Sequence, residues 1–303
     1  MTVVELPAGI RVAVEKPDDE ATFTLSEAVT TDRRVVTVAS VDDALAELTR
    51  RCRRWPQAAA VCDDVLRSVS SVSVFAGVIT ESLAYSTLQS GPEFARWLDE
   101  RGPVQLPELP DPVQAERRGD TLSIRFNRIR RHNAFTTDAR AALLEALEVA
   151  RLDDSVTEVV LAGNGPSFCS GGDLAEFGTF ADPASAHLAR TRHSPALVLA
   201  ELAGRLGPGC RAEVHGQVLG SGLEMAAYCG HIRCHPDATI GLPELALGLI
   251  PGAGGTVSIT GRIGRWRTAY LVLSGATIDA ATALAWGLVD EISADVPAGS
   301  PAR

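Results

Sequence analysis

Residues 238–255 read ATIGLPELALGLIPGAGG, a run in which Glu244 is the only charged residue between Asp237 and Arg262. A carboxylate in so apolar a setting either faces solvent in the loop after Pro243 or is buried. If it is buried, it needs a partner or a chemical task, because desolvating an unpaired charge is costly. The run closes on Pro251-Gly252-Ala253-Gly254-Gly255, and adjacent glycines let a backbone turn tightly and approach a ligand closely.

Two upstream stretches share this design. In VHGQVLGSGLEMAAYCG (214–230) a short apolar strand runs into Gly220-Ser221-Gly222, and Glu224 falls in the first turn of the helix that follows. A carboxylate there often serves only the helix dipole. The apolar neighbours Leu219, Leu223, Met225, Ala226 and Ala227 instead predict a buried helix. In PSFCSGGDLAEF (166–177) a strand ends at Gly171-Gly172, and a helix is predicted to begin near Asp173. The free amides of such a helix start can bind an anion or an oxyanion; taken alone, the same residues describe an ordinary strand-to-helix turn. Two carboxylates from different elements, beside two turns rich in free N–H groups, suit proton movement α to a carbonyl. The turns would hold an enolate oxygen, and the acids would handle a proton and a water.

The surroundings alternate strand and helix. TLSIRFN (121–127) and EVVLAG (158–163) read as strands, and 137–151 as a helix with Leu143, Leu144 and Leu147 on one stripe. That order predicts an α/β layered fold. The segment GPVQLPELPDPV (102–113) carries four prolines and reads as a linker between residues 1–101 and 114–303. The N-terminal part opens with strand-like GIRVAVE (9–15) and RRVVTVA (33–39). Ser40 is a predicted N-cap, with helices at 41–54, 56–69 and 80–100. The β-branched run 70–79 fits a strand or a buried helix, and no catalytic constellation is read in this part.

Composition bounds the rest. With 46% hydrophobic and 22% charged residues, the 303-residue chain is neither a disordered nor a membrane composition. A net charge of −10 argues against nucleic acid or an anionic membrane surface as partner. The longest apolar candidate for a membrane span, 245–261, holds Pro251 and five glycines. The N-terminus lacks the pattern of a secretory signal. Six cysteines without framework spacing fit a reduced, cytoplasmic protein. Cys229, Cys234 and His231 lack a second ligand pair for a metal, and Cys169 reads as a packed small residue. The only lysine is Lys16, so no phosphate-binding loop of the Walker type exists.

Five segments carry a resemblance: NRIRRHNAF (127–135), FCSGGDL (168–174), GSGLE (220–224), LPELALGLIPGAGGT (242–256) and LSGATIDAATALAWGLVD (273–290). In this order they resemble the successive signatures of the enoyl-CoA hydratase/isomerase (crotonase) family. The resemblance implies a crotonase-like (ClpP/crotonase) spiral of ββα repeats, here with an additional N-terminal α/β domain. It implies that the amides of Gly172 and Ser221 form an oxyanion hole for a thioester carbonyl. Glu224 would help activate a water, Glu244 would deliver the proton to the α-carbon, and Gly252 would position the water. Arg130, with Arg131 beside it, falls where the family has a basic residue near the CoA phosphates, and a guanidinium suits phosphate. Ser170, Gly171, Asp173, Leu174 and Ala175 would complete the CoA and acyl-thioester path. The implied substrate is an acyl-CoA, with no metal or redox cofactor, and the implied assembly is a homo-oligomer, a trimer or hexamer. Both glutamates together imply hydration of a trans-2-enoyl-CoA. A double-bond isomerase using chiefly Glu244, and an idle subunit that binds acyl-CoA or a partner protein, are the alternatives.

The chain departs from the family in three places. Cys229-Gly230-His231 stands where Cys-Asp is usual, and Ile129 stands where proline is usual. Few residues follow GLVDEI (287–292), so the usual C-terminal helices are expected to be missing. Residues 1–101 are then expected to replace the lid or oligomer contact those helices provide.

Overall fold

The computed structural model describes residues 2–105, 110–180 and 182–296. Part of the proline-rich segment, 106–109, lies outside the described residues, as does 297–303.

The N-terminal region builds a four-stranded sheet from β1 (Thr2–Glu5), β2 (Arg11–Val14), β3 (Phe23–Ser26) and β4 (Val35–Thr37), in that order. β1 and β2 are antiparallel, and the other two pairings are parallel. Helix α1 (Val41–Arg54) starts where Ser40 accepts a hydrogen bond from the Asp43 amide. Asp42 and Asp43 in its first turn and Arg51, Arg53 and Arg54 in its last complement the helix dipole. Pro56 opens α2 (Pro56–Ser68). The ambiguous run resolves into a single turn at Val69–Ser71 followed by α3 (Val74–Gln89), with Ser73 as its N-cap. The single helix predicted over 80–100 is corrected to two, because Gly91 is extended and Pro92 starts α4 (Pro92–Arg101). Proline has no N–H to continue the preceding helix but fits the first turn of a new one.

The second region carries a six-stranded sheet of order β13-β10-β8-β7-β6-β5. Its strands are β5 (Val113–Arg118), β6 (Thr121–Phe126), β7 (Glu158–Gly163), β8 (Cys210–Val214), β10 (His231–Cys234) and β13 (Glu291–Ile292). Only the β5–β6 pairing is antiparallel. A three-stranded sheet holds β9 (Gln217–Leu219), β11 (Thr239–Gly241) and β12 (Thr277–Asp279), with β11 between the other two. The chain therefore winds: a strand in the large sheet, a strand in the small one, then a helix. β8, β9 and α8 (Ser221–Ala226) make one turn. β10, β11 and α9 (Gly255–Ser274) make the next, and Cys169 bridging to Val218 marks the turn before them. This is the expected crotonase-like spiral. Helices α5 (Thr137–Leu152), α6 (Pro183–Arg192), α7 (Pro195–Leu206) and α10 (Ala280–Trp286) complete the region.

α9 is where the two regions meet. α1, α2 and α3 pack on it from one region and α8 from the other. Leu48, Cys62, Val78, Ile259, Ile263 and Leu271 belong to one continuous apolar core that runs through both regions. The first turn of α9, buried at this junction, carries the site.

Candidate active site

The two glycine turns touch. Gly222 sits where a side chain would collide with Cys169, its ideal Cβ lying 2.6 Å from the Cys169 Cβ. At the left-handed Gly220 (φ +48°) a Cβ would lie 3.5 Å from the Gly171 Cα. Phe126 makes edge contacts with Phe168 and Phe135, which fixes the loop between them. Phe135 donates to the Gly171 carbonyl and accepts from the Asp173 amide. That bracket leaves the Gly172 amide without a protein partner among the described residues, as is the Ser221 amide at the start of α8. The two free donors line one cavity of about 180 Å³ together with Glu224, Glu244, Asp173 and Gly252. The helix predicted from Asp173 does not form. Asp173 makes a single turn, accepting from the Ala175 and Glu176 amides, and the left-handed Gly178 follows.

Glu224 and Glu244 are both buried, but their surroundings differ. One oxygen of Glu224, Oε2, accepts from the amides of Ala253 (2.7 Å) and Gly255 (2.8 Å). Burial pushes its pKa up to about 7, and the amides of Ala253, Gly255 and Gly252 hold it from rising further. Glu244 Oε2 has no hydrogen-bond partner among the described residues. Its carboxyl is held well above the usual carboxylate range, by burial first and then by the charge of Glu224. Only glycine fits opposite it, because a Cβ on Gly220 would lie 2.6 Å from Glu244 Oε1. Near neutral pH the site can thus hold one carboxyl able to accept a proton and one that carries a proton.

A third carboxylate enters from α3. Glu81 is 1% exposed. Its Oε1 accepts from the Gly254 amide (2.6 Å), and its Oε2 from the Thr256 amide (2.8 Å) and hydroxyl (2.7 Å). Four consecutive amides therefore alternate: Ala253 and Gly255 donate to Glu224, Gly254 and Thr256 to Glu81. The amides of an incoming helix carry partial positive charge, which is why two acids can be gathered there. Burial, then the charge of Glu224, pushes Glu81 up to about 8. Tyr85, one turn along α3, presses its ring on Gly252, where a Cβ would lie 2.5 Å away. The N-terminal part, in which no catalytic constellation is expected from the sequence, thus supplies a carboxyl that holds the glycine turn of the site. A signal existed: Glu81 is the only charged residue between Arg67 and Glu93, the same pattern that singled out Glu244.

The residues expected on the CoA path are placed differently. Asp173 is buried and ion-paired to Arg128 (2.9 Å) and Arg131 (3.1 Å). Arg128, unremarked in the sequence reading, is itself buried and also bonds the Ala134 carbonyl, so it braces the loop behind Gly172. Arg130 and Arg131 are exposed, and Arg131 is tied to Asp173. Ser170 donates its amide to the His132 carbonyl, and Ala175 is buried. Leu174 is exposed, its carbonyl held at 2.6 Å by Arg101 of α4. Arg130, Arg131, Ser170, Gly171, Leu174 and Ala175 stand outside the cavity that gathers Gly172, Ser221, Glu224, Glu244 and Gly252. Cys169 is fully buried, which pushes its thiol up to about 12, unsuited to a nucleophile.

Comparison with known proteins agrees with this geometry. The family model described as enoyl-CoA hydratase/isomerase matches residues 116–299. The chain is 33% identical over 171 residues to the 2,3-dehydroadipyl-CoA hydratase of Escherichia coli (strain K12), covering 56% of this chain and 65% of that protein. It is 34% identical over 161 residues to the peroxisomal bifunctional enzyme of Danio rerio, covering 53% of this chain and 21% of that one. The chain thus spans less than two thirds of both curated relatives. Among solved structures it is similar to the enoyl-CoA hydratase of Thermoplasma volcanium, with 34% identity and a TM-score of 0.52, over 61% of this chain and 72% of that one.

Proposed function

This chain belongs to the enoyl-CoA hydratase/isomerase family, and from that premise we propose that it adds water, syn, across the double bond of a trans-2-enoyl-CoA to give a 3-hydroxyacyl-CoA. The observation that carries the reading is the pair of buried carboxyls of unequal proton affinity on one cavity with two unpartnered amides.

The thioester carbonyl accepts from the Gly172 and Ser221 amides, which stabilise the charge that develops on its oxygen as an enolate forms. Ionised Glu224 takes a proton from the water that attacks the β-carbon, and Gly252 positions that water. Protonated Glu244, its Oε2 free, delivers its proton to the α-carbon. The order of proton affinities matches these roles, since a general base works near its own pKa and an acid must hold its proton at working pH. The proton transfers are carried by carboxyl groups, and the reading assigns no metal or redox cofactor. Arg130 and Arg131, both exposed, are assigned to the phosphates of CoA. Residues 1–101 stand as a wall of the acyl pocket, supplying Val78, Ser82, Tyr85 and Gln89 to the cavity.

The test is turnover with crotonyl-CoA and longer trans-2-enoyl-CoAs, followed by loss of the enoyl-thioester absorbance. No loss with any chain length sinks the reading. A 3-enoyl-CoA offered in parallel tells hydration from isomerisation: accumulation of the 2-enoyl isomer without hydration assigns the isomerase.

A further inference from the structure

The cavity that holds Glu224 and Glu244 also presents two guanidiniums, Arg140 of α5 and Arg190 of α6. Both are half-buried, and desolvation lowers the proton affinity of both. Neither has a carboxylate within ion-pair distance among the described residues. Arg190 is held by neutral groups alone: the Ser82 hydroxyl (3.1 Å) and carbonyl (3.3 Å), Gln89 Oε1 (3.0 Å) and the Ser86 hydroxyl. Its guanidinium also lies 4.5 Å above the centre of the Tyr85 ring. These contacts explain Arg190 as the clasp between α6 and α3.

Arg140 has no such explanation. Its side chain makes no hydrogen bond or ion pair among the described residues. The nearest acid acting on it, Glu176, is already engaged in accepting from the Thr137 amide (2.8 Å) and hydroxyl (3.1 Å). Arg140 and Arg190 line the same cavity, and the charge of Arg140 disfavours that of Arg190. Two half-buried cations on one cavity wall, neither within ion-pair distance of a carboxylate among the described residues, are stabilised when an anion arrives. Phe135, Phe177, Phe180 and Met225 line the same cavity and suit methylene groups.

We propose that Arg140, supported by Arg190, binds an anionic group on the acyl part of the substrate, so that the preferred substrate is the mono-CoA thioester of an unsaturated dicarboxylic acid. The proposal rests on the hydratase reading for its reaction. A planar guanidinium pairs with a carboxylate through two parallel hydrogen bonds, which a methyl terminus cannot accept.

Two six-carbon trans-2-enoyl-CoAs, one ending in carboxylate and one in methyl, are compared as substrates of the full chain, its Arg140→Met variant and its Arg140→Lys variant. The wild type is expected to favour the carboxylate. Arg140→Met should lose about 10²-fold in kcat/KM on the carboxylate substrate and stay within about threefold on the methyl one. Arg140→Lys should recover part of the loss. Equal effects on both substrates, or a wild-type preference for methyl, overturn the proposal. Calorimetry with the two saturated CoA thioesters separates this from the reaction itself. Tighter binding of the carboxylate form without turnover of either enoyl-CoA upholds the subsite and sinks the hydratase reading. Turnover without any carboxylate preference does the reverse, and neither binding nor turnover sinks both.

Discussion

Glu244 and Glu81 come from different regions of the molecule and look alike in the sequence. Each is the only charged residue in a long uncharged run, 238–261 for one and 68–92 for the other. Each is buried, and each has its proton affinity raised by burial and by the charge of Glu224. They differ in what their oxygens meet. Glu81 has both oxygens engaged by two amides and a hydroxyl, whereas Glu244, which lines the cavity, leaves Oε2 without a partner among the described residues. A buried acid with both oxygens engaged organises its donors; a buried acid with an unpartnered oxygen is available to exchange a proton. The comparison also assigns work to the two regions. The family core supplies both glutamates of the cavity, and α3 supplies the group that holds the core's own glycine turn in shape.

The comparison breaks first at the reacting pair. Glu244→Gln and Glu224→Gln should each lower kcat for hydration by about 10²–10⁴-fold while the fold is retained by circular dichroism. A loss below tenfold in either would place that residue outside the proton transfers. Gly220→Ala should come next, at roughly 10²-fold, since a displaced carboxyl costs about that much. Two causes act there, a positive φ of 48° and a Cβ 2.6 Å from Glu244 Oε1. A variant as active as the wild type would mean that Glu244 has room to move.

Glu81→Gln sharpens the contrast with a smaller effect, about tenfold in kcat/KM. Its signature is the pH profile. The groups that face Glu81 are Glu224 and Thr256, with Tyr85, Tyr228, Glu244 and Arg190 acting at longer range. The charge of Glu81 raises the proton affinity of Glu244, so removing it should move the basic limb of kcat/KM against pH, where Glu244 must still hold its proton, to lower pH. A limb that stays in place would reduce Glu81 to a structural contact. Stability follows the sign of the shift. A carboxyl raised from 4.5 to about 8 on folding contributes stability fully present below pH 4.5 and lost as pH rises through about 8. Relative to Glu81→Gln, the wild type should therefore lose stability across that window, as read from urea midpoints. A constant difference would mean that Glu81 folds already ionised.

Legibility in the sequence followed the range of the forces involved. Glu224 and Glu244 could be singled out because their surroundings are written in adjacent residues, whereas Gly172, Ser221 and Gly252 are singled out by the family resemblance of the segments that hold them. The break between α3 and α4 was also written locally, in Gly91-Pro92, although the apolar pattern on either side invites one continuous helix. The turn at Asp173 was not, because Arg128 and Arg131, far along the chain, satisfy its carboxylate and leave it no helix to cap.

What the sequence by itself determined was an α/β layering and a pair of acids beside glycine turns, since glycine turns, apolar strands and a lone carboxylate in an apolar run each state a local physical requirement; the spiral followed from the family resemblance. What the tertiary structure alone decided was which other groups share the cavity. Tyr85, Arg140 and Arg190 have no neighbours in sequence that announce them. They meet because α3 packs against α6, α7 and α9, and α5 against α7, by non-directional burial of apolar surface. Burial selects which helices lie together, and only then do the polar groups they carry find one another.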